Sequence, residues 1–158
     1  MIATAGSEKK CAFCVELGAE HAINYHEVDF AERVEAFTDG EGVDLVLDMV
    51  GGDYFRRNVK CLRREGRLVQ IAVQQGFRVE LNLLEIMTKR LTVTGSTLRP
   101  RPVAEKVPIK EALFDEVWPL LEAGKVFPVL HSTFPLSGAG RAHSVMEAST
   151  HIGKLILL

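Results

Sequence analysis

The sequence predicts an α/β fold built on a parallel sheet, and three observations carry that prediction. Strand-like and helix-like segments alternate five times over the first hundred residues. The connections between them are short, as in successive βαβ units. Residues 43–50 form a nearly continuous apolar run bounded by glycines, which suits a strand covered on both faces.

The elements follow in order. Ile2-Ala3-Thr4-Ala5 opens as a short strand, ended by Gly6-Ser7. Ser7 is a candidate N-cap for a helix over 8–17, with apolar spacing from Cys11, Phe13, Cys14, Val15 and Leu17, and Gly18 as its stop. Residues 21–25 are a strand candidate. Asp29 caps a second helix that runs to Phe37, and Thr38–Gly42 turns the chain into the apolar strand. After Gly51-Gly52, Asp53 opens a helix to about Leu62. Arg67–Ala72 is the next strand, a helix covers about 82–88, and 91–96 is a further strand. Arg99-Pro100-Arg101-Pro102 marks a change of character, so residues 1–100 and 101–158 are read as two regions. The second is expected to hold a long helix over 103–122 that Pro108 kinks. Two β candidates near 126–129 and 132–134, a helix over 137–148 and a final strand over 154–158 complete it.

The totals bound the function. A chain of 158 residues with 47% apolar and 25% charged residues has the composition of a globular domain. A formal net charge of -2 gives no reason to expect nucleic acid or an anionic membrane as partner. No apolar run is long enough to span a bilayer, and Met1–Thr4 lacks the basic start and apolar stretch of a secretory signal. Three cysteines, an odd number, fit a reducing compartment, so a cytoplasmic location is expected. The abrupt apolar start reads as the middle of a domain, and a fragment is expected.

Chemistry in such a sheet gathers beyond the carboxyl ends of the strands. At the first junction Gly6 allows close backbone approach, Ser7 opens a helix, and Lys9 and Lys10 add positive charge. Helix-terminal N–H groups with a lysine make a phosphate cradle, and no acid stands at the junction to repel a 2′-phosphate. The same residues also suit a plain cap beside a solvated face, and residue types alone favour that plainer account. Asp48-Met49-Val50-Gly51-Gly52, Gln70-Ile71-Ala72 and Gly95-Ser96-Thr97-Leu98-Arg99 end three further strands at the same edge.

Other motifs are set aside. Cys11 and Cys14 form C-x-x-C inside a helix rather than at its start, where a redox pair belongs. Cys61 is the only other cysteine, too few for structural zinc, so no metal is expected. His21, His26, His131, His143 and His151 are scattered without ligand spacing, and no G-x-S-x-G elbow occurs. Phe114 and Trp118, at i and i+4, are expected to pack in the core.

Taken together, several segments resemble the zeta-crystallin-like NADPH:quinone oxidoreductases of the medium-chain dehydrogenase/reductase superfamily. They are Thr4-Ala5-Gly6-Ser7 with Lys10, Glu16–Ala19 leading to Ile23-Asn24-Tyr25, and Gly42–Asp44 through Asp48–Gly52. Gly66–Val69, Lys89–Ser96 and Met146–Ala148 through Ile152–Lys154 continue the resemblance over essentially the whole chain. It implies a partial doubly wound (Rossmann-type) parallel sheet that lacks its first strand, followed by a C-terminal α+β tail. It also implies hydride transfer from NADPH to a quinone or enone without zinc. Gly6, Ser7, Lys10 and Tyr25 would meet the 2′-phosphate and adenosine. Asp48, Val50, Gly51, Ile71, Ala72, Ser96, Thr97 and Leu98 would line the wall toward the nicotinamide. The strand at 91–97 would pair across a two-fold axis in a homodimer. No catalytic acid or base is indicated.

The family's N-terminal domain and its glycine-rich pyrophosphate turn have no counterpart in this sequence. In the strand order 3-2-1-4-5-6 the missing strand is a middle one, which leaves its neighbours about 9–10 Å apart. The sheet is expected to close up, recruit a strand or stay weak at its centre. The rival reading is a non-catalytic dimerisation or interaction module derived from such an enzyme. Among enzymes, an enoyl reductase relative remains open.

Overall fold

The computed structural model describes residues 1–158, and backbone packing divides them into two units, Met1–Pro100 and Arg101–Leu158. In the first unit β1 (Ile2–Ala5), α1 (Glu8–Glu16), β2 (His21–Asn24) and α2 (Phe30–Phe37) are followed by β3 (Val43–Asp48) and α3 (Tyr54–Cys61). β4 (Leu62–Gln70), α4 (Leu83–Lys89) and β5 (Thr92–Gly95) complete it. The alternation read from the sequence is therefore present, and every strand pair is parallel.

The expected sheet is interrupted at its centre. β1 pairs only with β2, and β3, β4 and β5 form a separate sheet in that order. β1 and β3 share no hydrogen-bonded ladder, so their edges have not closed on each other. Side chains from the helices join the halves instead. Ile23 from β2, Phe30, Ala31 and Val34 from α2 and Cys61 from α3 form one buried cluster, with Ile2 and Val43 packed against it. A second cluster of Phe55, Val59, Leu62 and Leu68 holds α3 on the β3–β4 ladder.

The local signals act as their chemistry requires. The Ser7 hydroxyl accepts the Lys10 N–H at 3.3 Å and Asp29 accepts the Ala31 N–H at 2.7 Å, so both caps satisfy otherwise orphaned helix donors. Asp53 stands before α3 without a side-chain capping bond. β4 begins at Leu62, five residues before the expected Arg67, because Leu62 already pairs with Val43. Residues 63–66 then bulge outward, with Glu65 at φ 65°, and pairing resumes at Leu45 and Arg67.

One expectation about β3 fails. Val46 packs inward, but Leu45 and Leu47, on the opposite face, are 56% and 64% exposed. The apolar run marks a strand whose second face has no cover in this unit.

In the second unit α5 (Val103–Ala112) continues through a π-helical stretch, Leu113–Val117, into α6 (Trp118–Glu122). The helix predicted over 103–122 is thus continuous, and its irregularity is the wide turn at 113–117, beyond Pro108. Phe114 and Trp118 stack with ring centroids 5.9 Å apart, yet both are exposed, contrary to the expected core role. Residues 126–129 form no strand. β6 (Leu130–Phe134) pairs in parallel with β7 (Lys154–Leu157), and α7 (Ala139–Glu147) follows a single 3-10 turn at Leu136–Gly138.

Candidate functional site

The predicted site residues all follow the C-terminal ends of strands in the first unit, where a parallel sheet exposes its ligand edge. Gly6, Ser7 and Lys10 follow β1, and Tyr25 follows β2. Val50 and Gly51 follow Asp48 of β3, Ile71 and Ala72 follow β4, and Ser96, Thr97 and Leu98 follow β5.

The first two junctions meet. The Tyr25 N–H bonds to the Ala5 carbonyl at 3.1 Å, which extends the β1–β2 ladder one residue and brings the Tyr25 ring over Gly6. A Cβ built on Gly6 would lie 2.7 Å from the Tyr25 hydroxyl and 3.4 Å from Nε2 of His26. The absent Cβ of Gly6 lets the Tyr25 hydroxyl close directly over the start of α1. Ser7 caps the helix there, and Lys10 stands in its first turn.

Aromatic contacts connect this corner to the next strand. Tyr54, which opens α3 beyond the β3 junction, meets Tyr25 edge-on at 6.1 Å and Phe30 at 5.2 Å. The Arg57 guanidinium lies over both Tyr54, at 4.4 Å, and Phe30, at 4.7 Å. Burial pushes the Tyr54 hydroxyl above its ordinary pKa, opposed by the neighbouring Arg57.

The wall beyond β3 is built by hydrogen bonds within the chain. Asp48 is 3% exposed, and its carboxylate accepts the Val50 N–H at 2.6 Å and the Gly51 N–H at 3.2 Å. It therefore shapes the turn rather than presenting a free charge. The Ile71 N–H donates to the Asp48 carbonyl at 2.8 Å, and the Gln70 amide donates to the Ala72 carbonyl at 2.6 Å. Ser96 N–H reaches the Gln70 carbonyl at 3.0 Å, so the ends of β3, β4 and β5 are laced together. The 73–76 loop folds over this wall: Gln75 N–H meets the Val50 carbonyl at 2.8 Å and Gly52 N–H the Gly76 carbonyl at 3.0 Å. Neither this loop nor the Tyr54–Arg57 stack was visible in the pattern of the sequence, since each depends on which strand ends become neighbours.

The thiols lie away from this edge chemistry. Cys11 and Cys61 are buried and Cys14 half-buried, all three free. Burial, then the nearby Glu8, raises the Cys11 thiol above its ordinary value. Burial also pushes Cys61 from 9.0 up to about 11, with Asp29 adding to the rise. A raised thiol is a poor nucleophile, so oxidants are expected to leave Cys11 and Cys14 unjoined. Peptide mass spectrometry after treatment checks this, and a linked peptide would refute it. A second expectation concerns alkaline stability. The folded state holds the Cys61 proton more tightly than the unfolded chain, so this contribution is complete below pH 9.0 and is lost as pH rises toward about 11. Thermal midpoints of the wild type and Cys61→Ala, measured across that window, should show the steeper fall in the wild type.

Comparison with known proteins assigns the chain to a family. Residues 17–157 match the family model described as zinc-binding dehydrogenase. The chain is 32% identical over 162 residues to a 2-haloacrylate reductase from Burkholderia sp, covering all of this chain and 47% of that protein. It is 32% identical over 161 residues to quinone oxidoreductase 1 of Escherichia coli (strain K12), covering all of this chain and 49% of that protein. The solved Escherichia coli quinone oxidoreductase complexed with NADPH superposes with a TM-score of 0.80 at 30% identity, over 99% of this chain and 49% of that one. The chain thus spans about half the length of the curated relatives it matches.

The family description names zinc, and the residues present do not fit a zinc site. No three His, Cys, Asp or Glu side chains come together where they could hold a metal ion. No step is therefore derived through a metal. The resemblance read from the motifs at 4–10, 16–25 and 42–52 is borne out by these matches. The chain belongs to the zinc-binding dehydrogenase family.

Proposed function

We propose that this chain forms the NADPH-binding part of an oxidoreductase that reduces a quinone or related electrophilic carbonyl compound. The observation that carries the reading is the corner at Gly6, where a helix N-terminus, the Tyr25 hydroxyl and the first turn bearing Lys10 converge. This donor set fits a 2′-phosphate, because N–H, O–H and ammonium groups all favour an anion. When bound, NADPH supplies the hydride. The chain's own share is to bind and orient. Ser7 and Lys10 take the phosphate and Tyr25 the adenosine end. The laced ends of β3, β4 and β5, with Val50, Gly51, Ile71, Ala72, Ser96, Thr97 and Leu98, form a rigid wall along which the rest of the cofactor lies. Relatives named as a quinone oxidoreductase and a 2-haloacrylate reductase support an electrophilic, conjugated substrate. Three free thiols and the lack of any helix long and apolar enough to cross a membrane suit action in the cytoplasm.

Calorimetric titration of NADPH, with NADH alongside, into the 158-residue chain tests this. Tighter binding of NADPH supports the reading. A folded, cooperatively melting chain that binds neither would instead favour a second reading, a dimerisation module. That alternative draws on β5, which lies at the edge of its sheet with one row of backbone groups unpaired. Both readings share a homodimer formed through residues 91–97. Sedimentation of the wild type against Val93→Pro, which removes a donor from that edge, should show dimer and monomer respectively.

A further inference from the structure

A second ring, that of His26, lies beside Gly6. We propose that His26 is a further specificity-determining residue, a direct contact to the 2′-phosphate that accompanies Tyr25. The inference rests on the proposed NADPH reading and adds to it a residue that the sequence pattern had set aside as one of five scattered histidines.

The placement follows from how β2 ends. Asn24, the last residue of that strand, is 8% exposed, and its side-chain oxygen accepts the His26 N–H at 3.2 Å. Its carbonyl accepts the N–H groups of Glu27, at 3.1 Å, and Val28, at 3.2 Å. These three bonds close a tight turn, so residues 25 and 26 do not diverge as successive strand residues would. Both rings end up beside Gly6. They lie 4.6 Å apart with their planes inclined at 58°. Tyr54, edge-on to Tyr25 at 6.1 Å, fixes that ring from behind.

One backbone point therefore sees two side-chain heteroatoms. The Tyr25 hydroxyl and His26 Nε2 lie 2.7 Å and 3.4 Å from the position a Gly6 Cβ would take. That point immediately precedes the Ser7 cap, where the first N–H groups of α1 lack helical partners. A phosphate held in front of these two groups and the helix terminus would accept from the Tyr25 O–H, an Nε2 N–H and the first N–H groups of α1 together. An imidazole nitrogen that carries a hydrogen can donate to a phosphate oxygen.

Adenosine 2′,5′-bisphosphate and adenosine 5′-monophosphate are the probes, because they differ only in the 2′-phosphate and engage only this end of the cofactor. Their affinities are measured for the wild type, His26→Gln, His26→Arg and Lys10→Glu, with a thermal melt of each. The expected result is a loss of about tenfold in bisphosphate affinity for His26→Gln, with the monophosphate changed by less than about twofold. Arginine at this position should restore the preference, since it supplies N–H donors and a positive charge. If His26→Gln binds both probes like the wild type while Lys10→Glu loses the preference, His26 is not a contact and the NADPH site stands. If both probes weaken equally in a normally melting His26→Gln, the residue is structural and the proposal is overturned. A wild type that binds the bisphosphate no tighter than the monophosphate would remove the underlying reading itself.

Discussion

Replacing Lys10 with glutamate is expected to weaken NADPH binding by about 100-fold while changing NADH by less than about threefold. The two cofactors differ only in the 2′-phosphate, which carries between about one and a half and two negative charges near neutral pH. Lys10 stands in the first turn of α1, beside the Ser7 cap and close in sequence to Gly6, which the Tyr25 hydroxyl covers. At contact distance near a protein surface a unit charge pair contributes between about 1 and 4 kcal/mol, depending on how much water intervenes. Reversing the sign removes one attraction and adds one repulsion, so with about one and a half phosphate charges even the wet end of that range gives about 3 kcal/mol, somewhat over a hundredfold. Calorimetry with both cofactors reads the effect directly. Equal losses would mean that Lys10 supports the fold of α1 and does not touch the phosphate.

The second large effect concerns stability. Gly42→Ala is expected to cost about 3 kcal/mol, a drop of about 10 °C in melting temperature for a chain of this size. Gly42 enters β3 with φ +84°, a conformation that alanine adopts only under strain. Its added Cβ would also sit 2.5 Å from the Cys61 carbonyl oxygen and 2.8 Å from the Arg63 nitrogen. Those are backbone atoms at the point where the chain leaves α3 and Leu62 pairs with Val43, so they cannot swing aside as a side-chain tip would. The N–H of Gly42 is also held by the Thr38 hydroxyl at 3.0 Å, which limits retreat in the other direction. Calorimetric melts of the two proteins check the prediction. A shift of less than about 3 °C would show that the strand entrance yields more readily than its contacts indicate.

Local chemistry made much of the fold legible. Ser7 and Asp29 announce their helices because a side-chain oxygen before an apolar-spaced run has one obvious task, and both perform it. The run at 43–50 announces a strand but not its cover, since periodicity reports that residues are apolar and cannot report what lies above them. Leu45 and Leu47 are exposed for that reason. The early start of β4 was hidden because the polar 63–66 segment loops out between two paired positions. Phe114 and Trp118 looked like core residues, yet their stacked pair is exposed. Of the candidate site, the strand-end positions could be read from topology alone. The convergence of Tyr25 and His26 on Gly6 could not, because it depends on a turn held by the side chain and carbonyl of Asn24. Nor could the Asp48 carboxylate be assigned to its own turn from a sequence in which it equally suited a ligand.

The break between β1 and β3 has a further consequence, for how the first unit opens. No backbone hydrogen bond of the β1–β2 ladder is shared with β3, β4 or β5, so the smaller ladder can come apart without costing the larger one a single rung. Only side chains tie them: the cluster around Ile23, Phe30 and Cys61 and the Arg57 stack on Phe30 and Tyr54. Amide hydrogens of Thr4 and Ile23 should therefore exchange with solvent sooner than those of Leu68 and Val69, in two separable kinetic classes. A ligand that touches the Gly6 corner and the laced wall beyond β3 at once would act as the missing tether. Its signature would be slowed exchange concentrated in residues 2–5 and 21–24, the half that the sheet itself does not hold.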